Sequence, residues 1–326
     1  MNIKKIGLSA LAGSLAAFSV NAADVSLSGG AAVYVTNTNE GNNAASFFQG
    51  DSITLSASGE TDGGMNISVS WELDSANPGG SSATVSSSYD NRSLSFGNDS
   101  IGTFTFMGHG GTSVMGQWDD VMPTAYEEPW DITSGADADR INGVNGNNLW
   151  KYKSPTVSGA TVYVAHQAAE QGTTSTENDY TRDKYTDVGI EFAPEMVEGL
   201  SLGYAEGDTY DGTDSITQST LWIKYAMGPI TVGYQESEAD GPTAAKTDSS
   251  EGFGITYAVN DDFSIGYGTR EYSDGADSND QEDNALSASY TMGGMTISGG
   301  FNTSDNVAGA AAADRDSYEI GLSFAF

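Results

Sequence analysis

The last ten residues, Ser317-Tyr318-Glu319-Ile320-Gly321-Leu322-Ser323-Phe324-Ala325-Phe326, decide how the chain is read. Tyr318, Ile320, Leu322, Phe324 and Phe326 are apolar, and the residues between them are polar or small. Alternation of period two describes a strand with one greasy face and one face that tolerates water. The pattern recurs upstream. Val25, Leu27, Ala31, Val33 and Val35 alternate with Ser26, Ser28, Gly30 and Tyr34. Met65, Ile67, Val69, Trp71 and Leu73 alternate with Asn66, Ser68, Ser70, Glu72 and Asp74. Leu286, Ala288, Tyr290 and Met292 alternate with Ser287, Ser289 and Thr291. A helical period of 3.6 is hard to find after residue 23.

Extending this reading gives sixteen strands, at residues 24–36, 51–59, 64–74, 88–97, 101–108, 147–154, 159–167, 184–193, 198–206, 215–227, 229–237, 251–259, 262–273, 283–292, 295–304 and 314–326. The links alternate between two kinds. Short ones include Glu60-Thr61-Asp62-Gly63, Asn98-Asp99-Ser100, Asn260-Asp261 and Gly293-Gly294. Long acidic ones fall at 37–50, 75–87, 109–146, 168–183, 207–214, 238–250, 274–282 and 305–313. Short turns at one end and long loops at the other describe a membrane β-barrel. A soluble β-sandwich also alternates. Against it stand the polar second face of most strands, hairpins that follow one another without a Greek-key jump, and the loop asymmetry.

The chain of 326 residues carries 45 Asp+Glu against 12 Lys+Arg, a formal charge of −33, and no Cys. A polyanion of this strength repels phosphates, so nucleic acid is excluded as a partner. Without Cys there is no disulfide framework, thiolate metal site or Cys nucleophile. Sixteen Tyr and 10% aromatic residues argue for a folded chain. At the N-terminus, Lys4 and Lys5 precede an uncharged run from Ile6 to Val20, followed by small residues through Ala22 and Ala23. This reads as a signal peptide over residues 1–22, with the barrel domain at 23–326. Removing it deletes two Lys and no acids, which leaves 10 basic against 45 acidic residues, a charge of −35. No later run of 18 apolar residues exists, so a membrane-embedded mature chain must be a closed barrel.

The segment from Phe47 to Met65, read Phe47-Phe48-Gln49-Gly50-Asp51-Ser52-Ile53-Thr54-Leu55 and onward through Gly59-Glu60-Thr61-Asp62-Gly63, resembles the second strand, turn and third strand of α-proteobacterial-type porins. Ala23-Asp24-Val25-Ser26-Leu27-Ser28-Gly29-Gly30 resembles their first strand, and terminal Phe326 is similar to their outer-membrane insertion signal. The resemblance to the Gram-negative general porins covers the whole mature chain. It implies a transmembrane barrel of sixteen antiparallel strands, usually a homotrimer in outer-membrane lipid, with the long third loop folded into the lumen. It further implies acids on that loop facing basic residues on the opposite wall.

The residues themselves speak to the loop. Residues 109–146 are the longest link, and Val114, Met115, Trp118, Val121, Met122, Tyr126 and Trp130 suit packing against a wall. The loop also carries Asp119, Asp120, Glu127, Glu128, Asp131, Asp137 and Asp139 against one Arg140. By parity the inward basic candidates are Lys151, Lys153, Lys224 and Arg270, with Lys151 and Lys153 alternating against Trp150 and Tyr152. Arg92 shares the parity of Leu94 and Phe96 and needs a bulge or an outer-end position to face inward. The family's basic cluster is rich in arginine, whereas this chain has five Arg in all.

Other chemistry is sparse. His109 and His166 are far apart and read as loop or strand-end residues rather than zinc ligands or triad members. The run Asp277-Ser278-Asn279-Asp280-Gln281-Glu282-Asp283 offers oxygen ligands for weak Ca²⁺ but lacks EF-hand spacing. No catalytic residue, cofactor or resident metal is expected. The reading is a passive channel for small hydrophilic solutes and ions with cation preference, because acid-lined low-dielectric walls concentrate cations. Two alternatives stand beside it: a substrate-selective channel for a sugar or other nutrient, with Trp118, Tyr126, Trp130 and Trp222 as candidate lumen aromatics, and a secreted acidic β-protein of adhesive or surface-layer type.

Overall fold

The structure, a computed structural model, describes residues 24–37, 45–74, 89–133, 135–136, 141–171, 180–182, 184–210, 214–276 and 279–326. The expected signal peptide lies outside the described residues, as do Asp137, Asp139, Arg140 and the start of the acidic run at 277–278. One closed antiparallel barrel of sixteen strands accounts for most of the chain. They are β1 (Asp24–Asn37), β2 (Ser46–Glu60), β3 (Asn66–Asp74), β4 (Tyr89–Asn98), β5 (Gly102–His109), β6 (Leu149–Lys153), β7 (Ala160–Gln167), β8 (Tyr185–Phe192), β9 (Leu200–Tyr210), β10 (Ser215–Met227), β11 (Ile230–Asp240), β12 (Asp248–Ala258), β13 (Phe263–Asp274), β14 (Gln281–Met292), β15 (Met295–Asp305) and β16 (Arg315–Ala325).

Each strand pairs with the next, and β16 returns to β1 with Ala31 opposite Phe324 and Val33 opposite Leu322. Phe326 extends the seam, exchanging two backbone bonds of 3.0 Å with Gly29. A Cβ on Gly29 would lie 2.5 Å from the Ser52 carbonyl oxygen and 3.0 Å from the Phe326 ring. The smallness of Gly29 is therefore required inside the chain to close the barrel. At the short-turn rim Gly228 and Gly293 take φ of 58° and 60°, the left-handed backbone that tight hairpins demand.

Side chains follow the pleat. Along β10, Ile216, Gln218, Thr220 and Trp222 are buried while Leu221 and Ile223 are exposed. Leu286, Ile320, Phe324 and Val188 are likewise about half exposed or more, and they project outward. The apolar stripes thus do not meet one another in a dry interior. An apolar belt of this extent is stable only against lipid. On the outer face of β4–β6, Phe104 lies 4.6 Å from Tyr152 and Phe106 lies 4.9 Å from Trp150, the kind of aromatic girdle that marks a membrane boundary. Towards the long-loop rim the belt ends in an acidic row on the outer face. Glu236, Glu251, Glu271, Glu282 and Asp305 are successive cross-strand neighbours over β11–β15. Such a row belongs in water. Between Glu282 and the turn at Gly293, β14 has the roughly ten residues that a tilted membrane strand needs.

Several strands run further than the apolar pattern suggests. β2 begins at Ser46 rather than 51, because Phe48 pairs with Tyr34 and their rings stack at 4.6 Å. β9, β11 and β12 continue through Tyr210, Asp240 and Asp248, whose acidic neighbourhoods resemble loop sequence while the backbone ladder continues. Arg92 lies on the outer face, opposite Trp71, beside a bulge at Gly108 whose carbonyl accepts from its guanidinium at 3.4 Å.

Leu286 sits near the middle of the belt on β14 and is 62% exposed. Replacing it by Arg is expected to cost about 2–4 kcal/mol in lipid. Reversible urea unfolding of the barrel in phospholipid vesicles measures this, and Glu282→Arg, outside the belt, should cost far less.

Candidate functional site

The long link between β5 and β6 turns back onto the polar face of the wall. Gly111–Thr112 and Asn145–Gly146 form a small ladder that brings its two ends together. A single helical turn follows, α1 (Val114–Gln117), capped by the Ser113 hydroxyl, which accepts from Gly116 N at 3.2 Å. From there the segment crosses the inward-facing side chains of successive strands, and these supply the partners that a non-repetitive backbone needs. The Asp187 carboxylate on β8 accepts from Met115 N at 2.8 Å. The Gln218 amide oxygen on β10 accepts from Gly143 N at 2.9 Å. On β11, Gln235 accepts from Val121 N at 2.9 Å and donates to the carbonyls of Trp118 at 2.6 Å and Asp119 at 3.2 Å. Asn302 on β15 donates to the carbonyls of Glu128 and Pro129 at 2.9 and 2.7 Å.

Packing repeats the theme. Val114, Met115, Trp118, Met122 and Ile141 of the loop join Tyr163, Ala205 and Trp222 of the wall in one buried cluster. Trp118 meets Tyr163 and Trp222 edge-on at 5.5 and 5.6 Å. The wall is notched to receive the chain. Cβ atoms on Gly233, Gly254 and Gly268 would lie 2.5–2.9 Å from Pro123 or Pro129, and one on Gly300 would lie 2.8 Å from Ile132. Neither the glutamine anchors nor the glycine notches stand out in sequence, where they read as ordinary small or polar inward positions.

Two basic candidates serve the loop. Arg270 is 2% exposed. It donates to Asp283 at 3.0 Å and to the Ala136 carbonyl at 2.7 Å, and it lies 3.9 Å from the centre of the Trp130 ring. The expectation that it lines the pore is thus corrected. Parity aimed it inward, but the loop covers it, and it acts as a clamp. Lys151 does point inward, and its ammonium donates to the carbonyls of Thr112 and Ser113 and to Gln117 at the base of the loop. Lys153 is exposed, 5.6 Å from the Tyr163 ring. Lys224 lies 5.2 Å from the Trp222 ring. Both lie near the short-turn ends of their strands. His109 and His166 bond only to the Asp90 carbonyl and the Thr186 hydroxyl at 2.8 and 2.7 Å, among the hydrogen bonds that describe them.

The acids gather at the loop's far end. Carboxylate oxygens of Glu127, Glu128 and Asp131 come within 4.8 Å of one another. The Tyr126 hydroxyl donates to Glu319 of β16 at 2.5 Å. Burial holds the Glu127 carboxyl up at about 7 rather than the ordinary 4.5, with the charges of Asp131, Glu319 and Asp120 adding to it. Glu128 is raised further, by burial and then by its hydrogen bond with Asp131. Asp119 sits apart, at the exit of α1, where its carbonyl meets Gln235. The sequence expectation thus becomes one patch of Asp120, Glu127, Glu128 and Asp131, to which Glu319 is added.

Gln235→Leu removes three hydrogen bonds between wall and loop while keeping the side chain's bulk. At about 1 kcal/mol each, their loss should speed protease cleavage within residues 110–146 of the folded barrel by tenfold or more. Mass mapping of the fragments reads the result.

A family model described as Gram-negative porin matches residues 7–287. No curated protein matches the chain. Among solved structures, an anion-selective porin from Comamonas acidovorans superposes with a TM-score of 0.69 at 15% identity, covering 94% of this chain and 100% of that one. A Salmonella typhi OmpF structure in complex with daunomycin gives 0.71 at 12% identity, covering 93% and 97%. A mutant of Rh. blastica porin gives 0.66 at 14% identity, covering 93% and 100%. These likenesses concern the fold. With the match running over most of its length, the chain belongs to the Gram-negative porins, a family of non-enzymatic channels of the outer membrane.

Proposed function

We propose that this porin is a passive diffusion channel for small hydrophilic solutes and ions, that it prefers cations, and that it acts as a homotrimer after removal of residues 1–22. The observation that carries the preference is the acidic patch at the loop, where Asp120, Asp131 and Glu319 surround Glu127, which gains charge above about 7, with Glu128 held protonated among them. Its expected basic counterparts are otherwise engaged: Arg270 is held by Asp283 and Lys151 by the loop's own carbonyls. A low-dielectric opening rimmed by carboxylates raises the local concentration of cations and repels anions. Asp119 contributes to the same potential from further along the loop, and Lys153 and Lys224 temper it at the short-turn mouth.

The rival reading, a channel selective for a sugar, needs aromatic faces along the lumen. Trp118, Trp130 and Trp222 are buried between loop and wall, and Tyr126 is tied to Glu319. Nothing in the arrangement favours that rival.

In planar bilayers under a KCl gradient, the zero-current potential should have the sign of K⁺ preference. Replacing Asp120, Glu127, Glu128 and Asp131 by Asn or Gln should move it towards zero, and an unchanged potential would remove the loop from the explanation. The raised Glu127 carboxyl adds a pH dependence. It is protonated below about 7 and charged above, so the cation-to-anion permeability ratio should climb between pH 6 and 8. Glu127→Gln should flatten that rise. Stability carries the opposite sign. A carboxyl raised from 4.5 contributes stability that is fully present below about 4.5 and is lost progressively as pH rises to about 7.

A further inference from the structure

The loop does not treat the barrel evenly. Among the described residues, the buried polar side chains of the wall belong to β7–β16, from Thr161 to Ser317, with Thr36 on β1 as the exception. No polar residue of β2–β6 is buried. The loop therefore dries one wall and leaves β2–β4 of the other in water, its base resting on β5 and β6 through Met107, Leu149 and Lys151. That wet wall is built of hydroxyls. Ser26, Ser56, Ser70 and Ser93 are successive cross-strand neighbours on β1–β4. One rung nearer the short turns, Ser58, Ser68, Ser95 and Thr105 continue across β2–β5. All alternate with outward apolar residues, so all face inward. An open space of about 910 Å³ lies against the lower rungs, lined by Ser58, Ser68, Ser95 and Thr103. Its one basic residue, Lys153, shares the lining with Asp24, Glu60 and Asp99.

We infer that these serine and threonine rungs, and not a basic cluster, form the counter-wall of the pore. Charge inside the barrel is then uneven: carboxylates gather on the loop beside β15 and β16, and the inward rungs of β1–β4 are neutral hydroxyls. This rests on the reading of the protein as a cation-preferring channel and names what makes it so. A wall of hydroxyls offers oxygen lone pairs to a cation and O–H groups to an anion alike, so it adds no sign of its own and leaves the preference to the acids. Among the described residues the inward face of β1–β4 carries no basic side chain, so positive charge on this side is limited to Lys151 and Lys153 on β6, and the transverse field across the hydroxyl rungs is weak. The solutes it fits are small cations. The wall residues that determine this are specificity determinants by what they lack. Glu72 adds a carboxyl to the same wet face, as the cross-strand neighbour of Thr54 and Asn91.

The experiment introduces the missing charge. Ser70→Arg and Ser93→Arg are made singly, and Ser249→Arg, on the outer face of β12, is the control for an added charge off the pore. Folding of each is read from the heat-dependent migration of unboiled samples, and selectivity from the zero-current potential in planar bilayers under a KCl gradient. Each inward Arg is expected to lower the K⁺-to-Cl⁻ permeability ratio severalfold, with no change for Ser249→Arg. Folded inward variants that keep the ratio of the unsubstituted protein, or a control that shifts as much as they do, would overturn the proposal. The shift towards Cl⁻ reads the wall whatever the starting sign. An unsubstituted protein that prefers Cl⁻ but still shifts would sink cation preference while sparing the neutral counter-wall.

Discussion

A strand edge facing hydrocarbon has no partner for its amides, so this sheet must close on itself. The closure lies between β16 and β1, and Phe326 completes it by bonding Gly29 in both directions. Everything else in the fold follows from that ring. Once it is shut, the pleat assigns every side chain to lipid or to the inside, and a one-residue slip would reverse the assignment throughout. Leu286, Ile320 and Phe324 can then be apolar and exposed without penalty, and Ser, Thr and Gln can be inward without a dry core to accommodate them.

The inside poses a second problem of satisfaction. A polar face is stable in water or against matched partners, and this barrel uses both solutions. Over β7–β16 the loop displaces water, so each buried group there needs a protein partner. Gln235, Gln218, Asn302 and the Arg270–Asp283 pair supply them, and the glycine notches let the backbone come close enough to bond. Over β2–β4 water is not displaced, and short hydroxyls suffice. The division explains why the buried glutamines lie on the covered side.

The same division explains what could and could not be read beforehand. Strand number, hairpin order and the outward stripes were legible because lipid enforces strict alternation: Tyr318, Ile320, Leu322 and Phe324 admit one interpretation. Parity also aimed Lys151 and Arg270 inward correctly. It could not show that the loop would cover Arg270, because inward Arg looks alike whether it meets water or a carbonyl. Gln235 was invisible for the same reason, as it is one polar residue among many at an inward position. Strand ends such as Asp240 and Asp248 were misread because hydrogen bonding outlasts the apolar pattern once the strand leaves lipid.

The acidic patch is where the two halves of the interior meet. Bringing Glu127, Glu128 and Asp131 within 4.8 Å is unfavourable if all are charged, and a freely moving loop would spread them apart. The loop is not free to do so, since Asn302 fixes the carbonyls of Glu128 and Pro129 and Tyr126 is bonded to Glu319. Burial on the wall, with the neighbouring carboxylates adding to it, favours proton uptake instead of motion, which is why the Glu127 carboxyl rises to about 7 and Glu128 rises further. Rigid seating on the dry wall thus turns a geometric constraint into an adjustable charge. A basic wall opposite would hold those carboxyls ionised and fix the charge, whereas hydroxyls leave it to the surrounding water and its pH.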